Sequence, residues 1–445
     1  MTTVRQILVP GPKSEAIFAA EAQYLAPGTQ SVALFSRLCI DRGEGALLYD
    51  VDGNAYIDLL AGVGVASLGY AHPKYVAALQ RQVARIHVGS FTTEHRAALV
   101  KLLAEIAPGD LNRTQFYSSG AEAVEAAVRL ARSRTRRQEL IGFWGGFHGK
   151  TGGVLPLLGS SFKHQLGPLM PGAYLTPYAG CARCAFDKTF PSCEWHCVEF
   201  LRKKIEVETA NNVAAILVEP IQGTAGNVVP PPGYLGMLRR LADELGALLI
   251  CDEMLTGFGR TGKMFAIEHE GVLPDVLTVG KGFGGGFPMS GIIAREDVAF
   301  AKPFANPSGS SSSYGGNPLA AAAGLASLEI ILKENLVKNA DRVGAVMLKR
   351  LEALKEKHRV VGEVRGRGLL LGIELVKDRR TKEPLGKDVT QALYQECLRR
   401  GLAAMTYSAT VRINPPLMIS EETALAGLAI LDEALEAVGR EHNLQ

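Results

Sequence analysis

Two short apolar runs, Ala247-Leu248-Leu249-Ile250-Cys251 and Val276-Leu277-Thr278-Val279, restrict this chain more than any other feature. Runs of this length that do not alternate suit strands buried on both faces, as inside a parallel sheet. The first closes on Asp252-Glu253, the second on Gly280-Lys281-Gly282-Phe283-Gly284-Gly285-Gly286. Open parallel sheets bind ligands at the carboxyl ends of their strands. Here those ends carry an acid and an amine. They could form a buried ion pair and nothing more, but glycines around a lysine clear backbone away and leave room for a bulky partner. The same residues spell Gly280-x-Gly282-x-x-Gly285, a dinucleotide fingerprint, which requires a helix to open inside it. Gly286-Phe287-Pro288 follows at once and argues against that helix.

A lysine for an aldehyde and an aspartate for a ring nitrogen are what pyridoxal phosphate needs. The whole chain permits such a site. It has 445 residues, enough for two or three domains, and a net charge of +3 that gives no reason to expect nucleic acid. The basic run Arg129–Arg137 falls where a helix should end, and a helix C-terminus favours positive charge. No stretch reaches the length of a membrane span, and Met1–Phe18 lacks the marks of an export signal, so the expected compartment is the cytoplasm. Seven cysteines, an odd number, argue against a disulfide framework. Four of them, Cys181, Cys184, Cys193 and Cys197, cluster beside His196 and are candidate metal ligands, although their spacing differs from common zinc fingers; reduced structural cysteines are the plainer reading.

Gly45–Asp58 reads as a β-hairpin turning at Asp52-Gly53-Asn54, and the glycine-rich Ala61–Gly69, which includes Val63, either walls a ligand pocket or packs a crossover. Tyr75–Ile86 and Glu94–Ile106 read as amphipathic helices. A strand from Thr114 runs into Ser119-Gly120-Ala121-Glu122, a capping-box pattern opening a helix to about Arg134. Backbone N–H groups at such a start can hold a phosphate. Leu140–Trp144 and Ala214–Val218 are further buried runs, ending at Gly145–Lys150 and Glu219–Gly223. Phe147 could lie against a planar ring or fill the core. The alternation predicts an α/β fold, with a mostly parallel sheet over residues 66–325 and a smaller α+β domain from residues 1–65 and 326–445.

Taken in order, Ser119-Gly-Ala-Glu-Ala, Phe147-His148-Gly149, Glu219-Pro-Ile-Gln-Gly, Asp252-Glu-x-x-Thr-Gly-Phe-Gly-Arg-Thr-Gly262, Lys281-Gly and Tyr314-Gly-Gly-Asn-Pro-Leu resemble the class-III pyridoxal-phosphate aminotransferases of fold type I. The resemblance spans roughly residues 30–440. It implies that Lys281 holds the cofactor as a Schiff base and that Asp252 keeps the pyridine nitrogen protonated. It implies cofactor contacts from Ser119, Gly120, Ala121, Phe147, His148, Glu219 and Met254. It also implies that Ser313, where the family usually has threonine, reaches the phosphate of a neighbouring subunit. A homodimer with shared sites follows, or a tetramer built from it.

The resemblance further implies substrate contacts from Arg412, Val63 and Lys150. Arg412 matches the arginine that grips an α-carboxylate. Ornithine and γ-aminobutyrate members usually carry glutamate where this chain has Thr224, and arginine where it has Lys150. Leu255 replaces a common glutamine, and the motifs look closer to putrescine- and amine-type members. The function implied is transfer of an amino group from an ω-amino or primary amine donor to pyruvate or 2-oxoglutarate. A dialkylglycine-type decarboxylase or an aminomutase is the alternative on the same scaffold. A metal- or redox-responsive binding protein using the cysteines is the more remote one.

Overall fold

The computed structural model describes residues 7–444. Met1–Gln6, part of the stretch read as lacking an export signal, lie outside the described residues, as does Gln445. No helix among the described residues is long and apolar enough to cross a membrane. The chain divides into two compact units, one running from Lys74 to Val337, the other formed by the residues up to Pro73 together with those from Lys338 on.

The larger unit is built on seven strands: β1 Leu111–Tyr117, β2 Glu139–Phe143, β3 Ala173–Thr176, β4 Val213–Val218, β5 Leu248–Asp252, β6 Val276–Val279 and β7 Ser290–Arg295. They lie in the order β1-β7-β6-β5-β4-β2-β3. Only β7 runs against the others, pairing antiparallel with both β1 and β6. Every residue of β2, β4, β5 and β6 is buried, which is why their sequences do not alternate. The helix Gly120–Thr135 packs alanine and valine onto this sheet, its small side chains letting backbone approach backbone. Its capping box forms: Ser119 Oγ accepts from the N–H of Glu122, and the Glu122 carboxylate accepts from the N–H of Ser119 at 2.9 Å. The helix ends at a left-handed Arg136 with Arg132 and Arg134 in its last turn.

In the smaller unit, strands Ile40–Glu44, Leu47–Asp50 and Ala55–Asp58 form an antiparallel sheet, and Leu402–Ala403 adds parallel to Ala55–Asp58. Chain from both ends therefore builds one sheet. A second sheet contains Val361–Arg367, Leu370–Asp378, Glu383–Pro384 and Thr410–Ile413, with Arg412 opposite Gly372. The passage Ala61–Gly64 is a left-handed turn, with φ of +48° at Ala61, +59° at Gly62, +65° at Val63 and +75° at Gly64. A β-branched residue at such a φ is a strained outlier. Asp58 stabilises the turn, accepting from the N–H groups of Leu60 and Ala61 and from the Tyr70 hydroxyl.

At Gly159, in the segment after β2, backbone comes close to backbone. A Cβ on Gly159 would stand 2.2 Å from the Gly145 nitrogen and 2.4 Å from the Phe143 carbonyl oxygen. Backbone on both sides cannot yield, so Gly159→Ala should destabilise the protein by about 1–3 kcal/mol. Gly152, with open space around it, is the control. Urea unfolding of the two alanine variants measures the difference, and equal midpoints would contradict the packing.

Candidate active site

Asp252 ends β5, and its register partner on β6 is Thr278. Its carboxylate is almost fully buried. Oδ1 accepts from the Thr278 hydroxyl at 2.9 Å and from the Met254 N–H at 3.1 Å, and Oδ2 lies 2.6 Å from His148 Nδ1. The next residue, Glu253, points the opposite way, as alternation along a strand requires. It accepts from the N–H groups of Ala266 and Ile267 and from Thr256, and burial pushes its carboxyl up to about 7. Adjacent acids thus serve two faces. Asp252 stands at the strand ends, while Glu253 ties the following loop to the short helix Ala266–Glu270.

His148 comes from the loop after β2. Burial opposes a charge on its ring, but the bonded Asp252 carboxylate and nearby Glu219 outweigh it, so its pKa stands above the ordinary imidazole value. Glu219, at the end of β4, accepts from the Phe147 N–H and the Gly223 N–H, each at 2.9 Å. Burial, with Asp252 adding to it, holds the Glu219 carboxyl above its ordinary value. The ends of β2, β4 and β5 are joined through these three ionisable side chains.

Lys281 follows β6 and Gly280, half-buried, with a left-handed φ of +46°. That conformation costs an L-residue roughly 1–2 kcal/mol. It opens a single short turn, Lys281–Gly284, so no α-helix starts in the glycine-rich stretch and the dinucleotide fingerprint has no helix to serve. Met254 lies between Gly120 and Gly280: a Cβ would stand 3.2 Å from its sulfur on the former and 2.5 Å on the latter. The N–H groups of Gly120 and Ala121 have no acceptor among the described residues, and the buried Ser118 hydroxyl has no partner there. Ser119 is spent partly on its cap, though its backbone carbonyl also accepts from Ser290 at 2.6 Å.

Phe147 packs edge-on against Phe162 at 5.9 Å, and the Lys150 ammonium sits 4.3 Å from the Phe162 ring centre. Ser313 is exposed in the loop before the helix Pro318–Lys333. Val63 and Arg412 belong to the smaller unit, where the Arg412 guanidinium lies beside the Tyr407 hydroxyl. Sequence reasoning passed over Thr278, Ser118 and Tyr178. Thr278 had a signal, as the one polar residue in a buried run. Tyr178 donates to the carbonyls of Glu219 and Pro220, both at 3.1 Å, and had none. The cysteine segment forms no disulfide among the described residues.

The raised His148 pKa sets a pH dependence. A histidine whose folded pKa exceeds its unfolded value contributes stability that is complete below the unfolded value, about 6.5, and fades as pH rises through the folded one. In the cofactor-free protein, the gap in melting temperature between wild type and His148→Asn should be widest below about pH 6.5 and narrow above it. A gap that does not vary with pH would mean that the ring stays neutral.

The Aminotransferase class-III profile matches residues 29–435. An acetylornithine aminotransferase of Methanopyrus kandleri is 43% identical, over 89% of this chain and 94% of its own length. A leucine/methionine racemase of Thermococcus litoralis is 38% identical, over 89% and 90% respectively. Among solved structures, an amine transaminase from an uncultivated Pseudomonas species in its PLP-bound form superposes with a TM-score of 0.88 at 30% identity, covering 94% of this chain and 99% of that one. With that profile along most of its length and acid and lysine at adjoining strand ends, the chain belongs to the class-III aminotransferases, pyridoxal-phosphate-dependent enzymes of fold type I.

Proposed function

We propose that the enzyme moves an amino group from an ω-amino or primary amine donor to pyruvate or 2-oxoglutarate, with Lys281 and Asp252 as its catalytic residues. The observation that carries this reading is the buried Asp252 carboxylate, fixed by three donors at the end of β5 and beside the strand that delivers Lys281. The residues fit pyridoxal phosphate. The unpartnered N–H groups of Gly120 and Ala121, at the positive end of a helix with the buried Ser118 hydroxyl before it, suit a phosphate. When bound, the cofactor supplies an aldehyde for the amine and a ring that draws electrons from the carbon losing its proton.

The protein supplies the rest. Asp252 would hold a proton at the ring nitrogen, because an adjacent carboxylate favours the charged form. His148 and Thr278 keep that carboxylate oriented. Lys281 Nζ would take the proton from the substrate carbon and return it elsewhere, a task suited to a positioned lysine amine. Phe147 and Met254 would flank the ring of the bound cofactor, and Glu219 holds the Phe147 backbone in place. Val63, Lys150 and Arg412 contact substrate, with Arg412 reading the carboxylate. Exposed Ser313 and Tyr314 favour a homodimer in which Ser313 serves the neighbouring site. Its compartment is the cytoplasm on this reading.

A coupled assay that needs an added keto acid and releases no carbon dioxide separates transfer from decarboxylation. The racemase relative supplies a second reading, in which one amino acid is inverted with no acceptor present. Chiral analysis of a single amino acid, with and without keto acid, decides between them. Lys281→Ala should fold and retain cofactor through the phosphate cradle while losing turnover; normal turnover in this variant would refute the assignment. Arg412→Ala should weaken keto-acid binding about ten- to a hundred-fold, the worth of a charged hydrogen bond, and leave the half-reaction of a carboxylate-free amine little changed. Stopped-flow measurement of each half-reaction tests this, and equal losses in both would make the arginine structural.

A further inference from the structure

The cysteine segment takes no part in the site just described, yet it is built with care. After β3 the chain makes a short turn at Cys181–Arg183, and Cys197 is the second residue of the helix His196–Glu208. Cys193 closes a turn on Thr189, and the His196 N–H donates to the Cys193 carbonyl at 3.0 Å. Cys181, Cys184, Cys193 and Cys197, sixteen residues apart at most, all line one cavity of about 20 Å³, together with Tyr178 and Trp195. The thiols of Cys181 and Cys193 lie near enough to that of Cys197 to act on its charge. An aromatic shell surrounds them, with Phe186 edge-on to His196 at 5.0 Å and Phe190 against Trp195 at 5.4 Å.

Between Cys193 and Cys197 the backbone is strained. Glu194 and Trp195 have consecutive left-handed φ values of +49° and +54°. Each costs roughly 1–2 kcal/mol, and such pairs persist only where the surroundings dictate them. A single water needs about 10–15 Å³ of such space, so the cavity suits a single atom and no organic ligand. Four soft sulfur donors lining one cavity of that size supply the ligand set of a structural zinc site.

We propose that Cys181, Cys184, Cys193 and Cys197 bind one zinc ion as a structural site. Among the described residues no three ligand side chains already converge on one centre, so binding has to draw the sulfurs together. Each thiol loses its proton to solvent as the Zn–S bond forms, and no electrons are transferred. Tyr178 spans from this cavity to the carbonyls of Glu219 and Pro220 at the end of β4. The ion therefore stiffens the wall behind the active site and touches none of the reacting atoms.

The test uses holoenzyme without a polyhistidine tag, made in zinc-supplemented medium and purified under reductant. Elemental analysis should find about one zinc per chain, and the variant C181S/C184S/C193S/C197S should hold none. A strong chelator should lower the melting temperature of wild type but not of that variant, and single-turnover transamination should be the same in both. Should the variant fail to fold, cobalt exchange into wild type gives an independent readout, the absorption bands of tetrahedral thiolate-bound cobalt. Four results would each overturn the proposal: no zinc bound or taken up by wild type, zinc retained without the cysteines, iron in place of zinc, or thiols lost in pairs as disulfides under non-reducing denaturation.

Discussion

The structure depends on a carboxylate that should not be where it is. Taking an ion out of water costs several kcal/mol even after relaxation, and that cost is met only if its oxygens find partners. Asp252 finds three, on three segments: His148 after β2, Thr278 on β6 and the Met254 N–H on its own loop. Losing any one would leave a buried charge short of a bond, so the three segments are locked in register. Glu219 repeats the device with two backbone N–H groups.

Much of this was legible in residue order because the determinants are local. Unbroken apolar runs announced buried parallel strands, and the polar residues that end them meet at adjoining strand ends. The Ser119–Glu122 spacing announced a capping box because that motif closes within a single turn. What stayed hidden depends on pairing across the sheet. Thr278 matters because register sets it beside Asp252, and register is decided by strands far apart in sequence. Tyr178 is likewise an aromatic among aromatics until β4 is placed next to it.

Backbone conformation was the other blind spot. The left-handed turn at Ala61–Gly64 includes an alanine and a valine, residues that sequence reasoning does not assign to that region. Glycine-rich composition suggested a close approach there but not which residues would bear the strain. Arg412 shows the opposite case. Its motif was readable, and its place opposite Gly372 agrees with a strand, but a motif alone does not say which partner the guanidinium keeps.

Lys281 occupies a backbone state that glycine enters freely and lysine does not. Selection for stability alone would favour glycine at this position and would abolish the amine in the process. On the role proposed for Lys281, the position is a natural point of divergence, where a duplicated copy released from that role gains robustness with one substitution. Descendants of this scaffold that serve as binding or regulatory proteins should be recognisable by a small residue there, with the Asp252 network above it decaying afterwards.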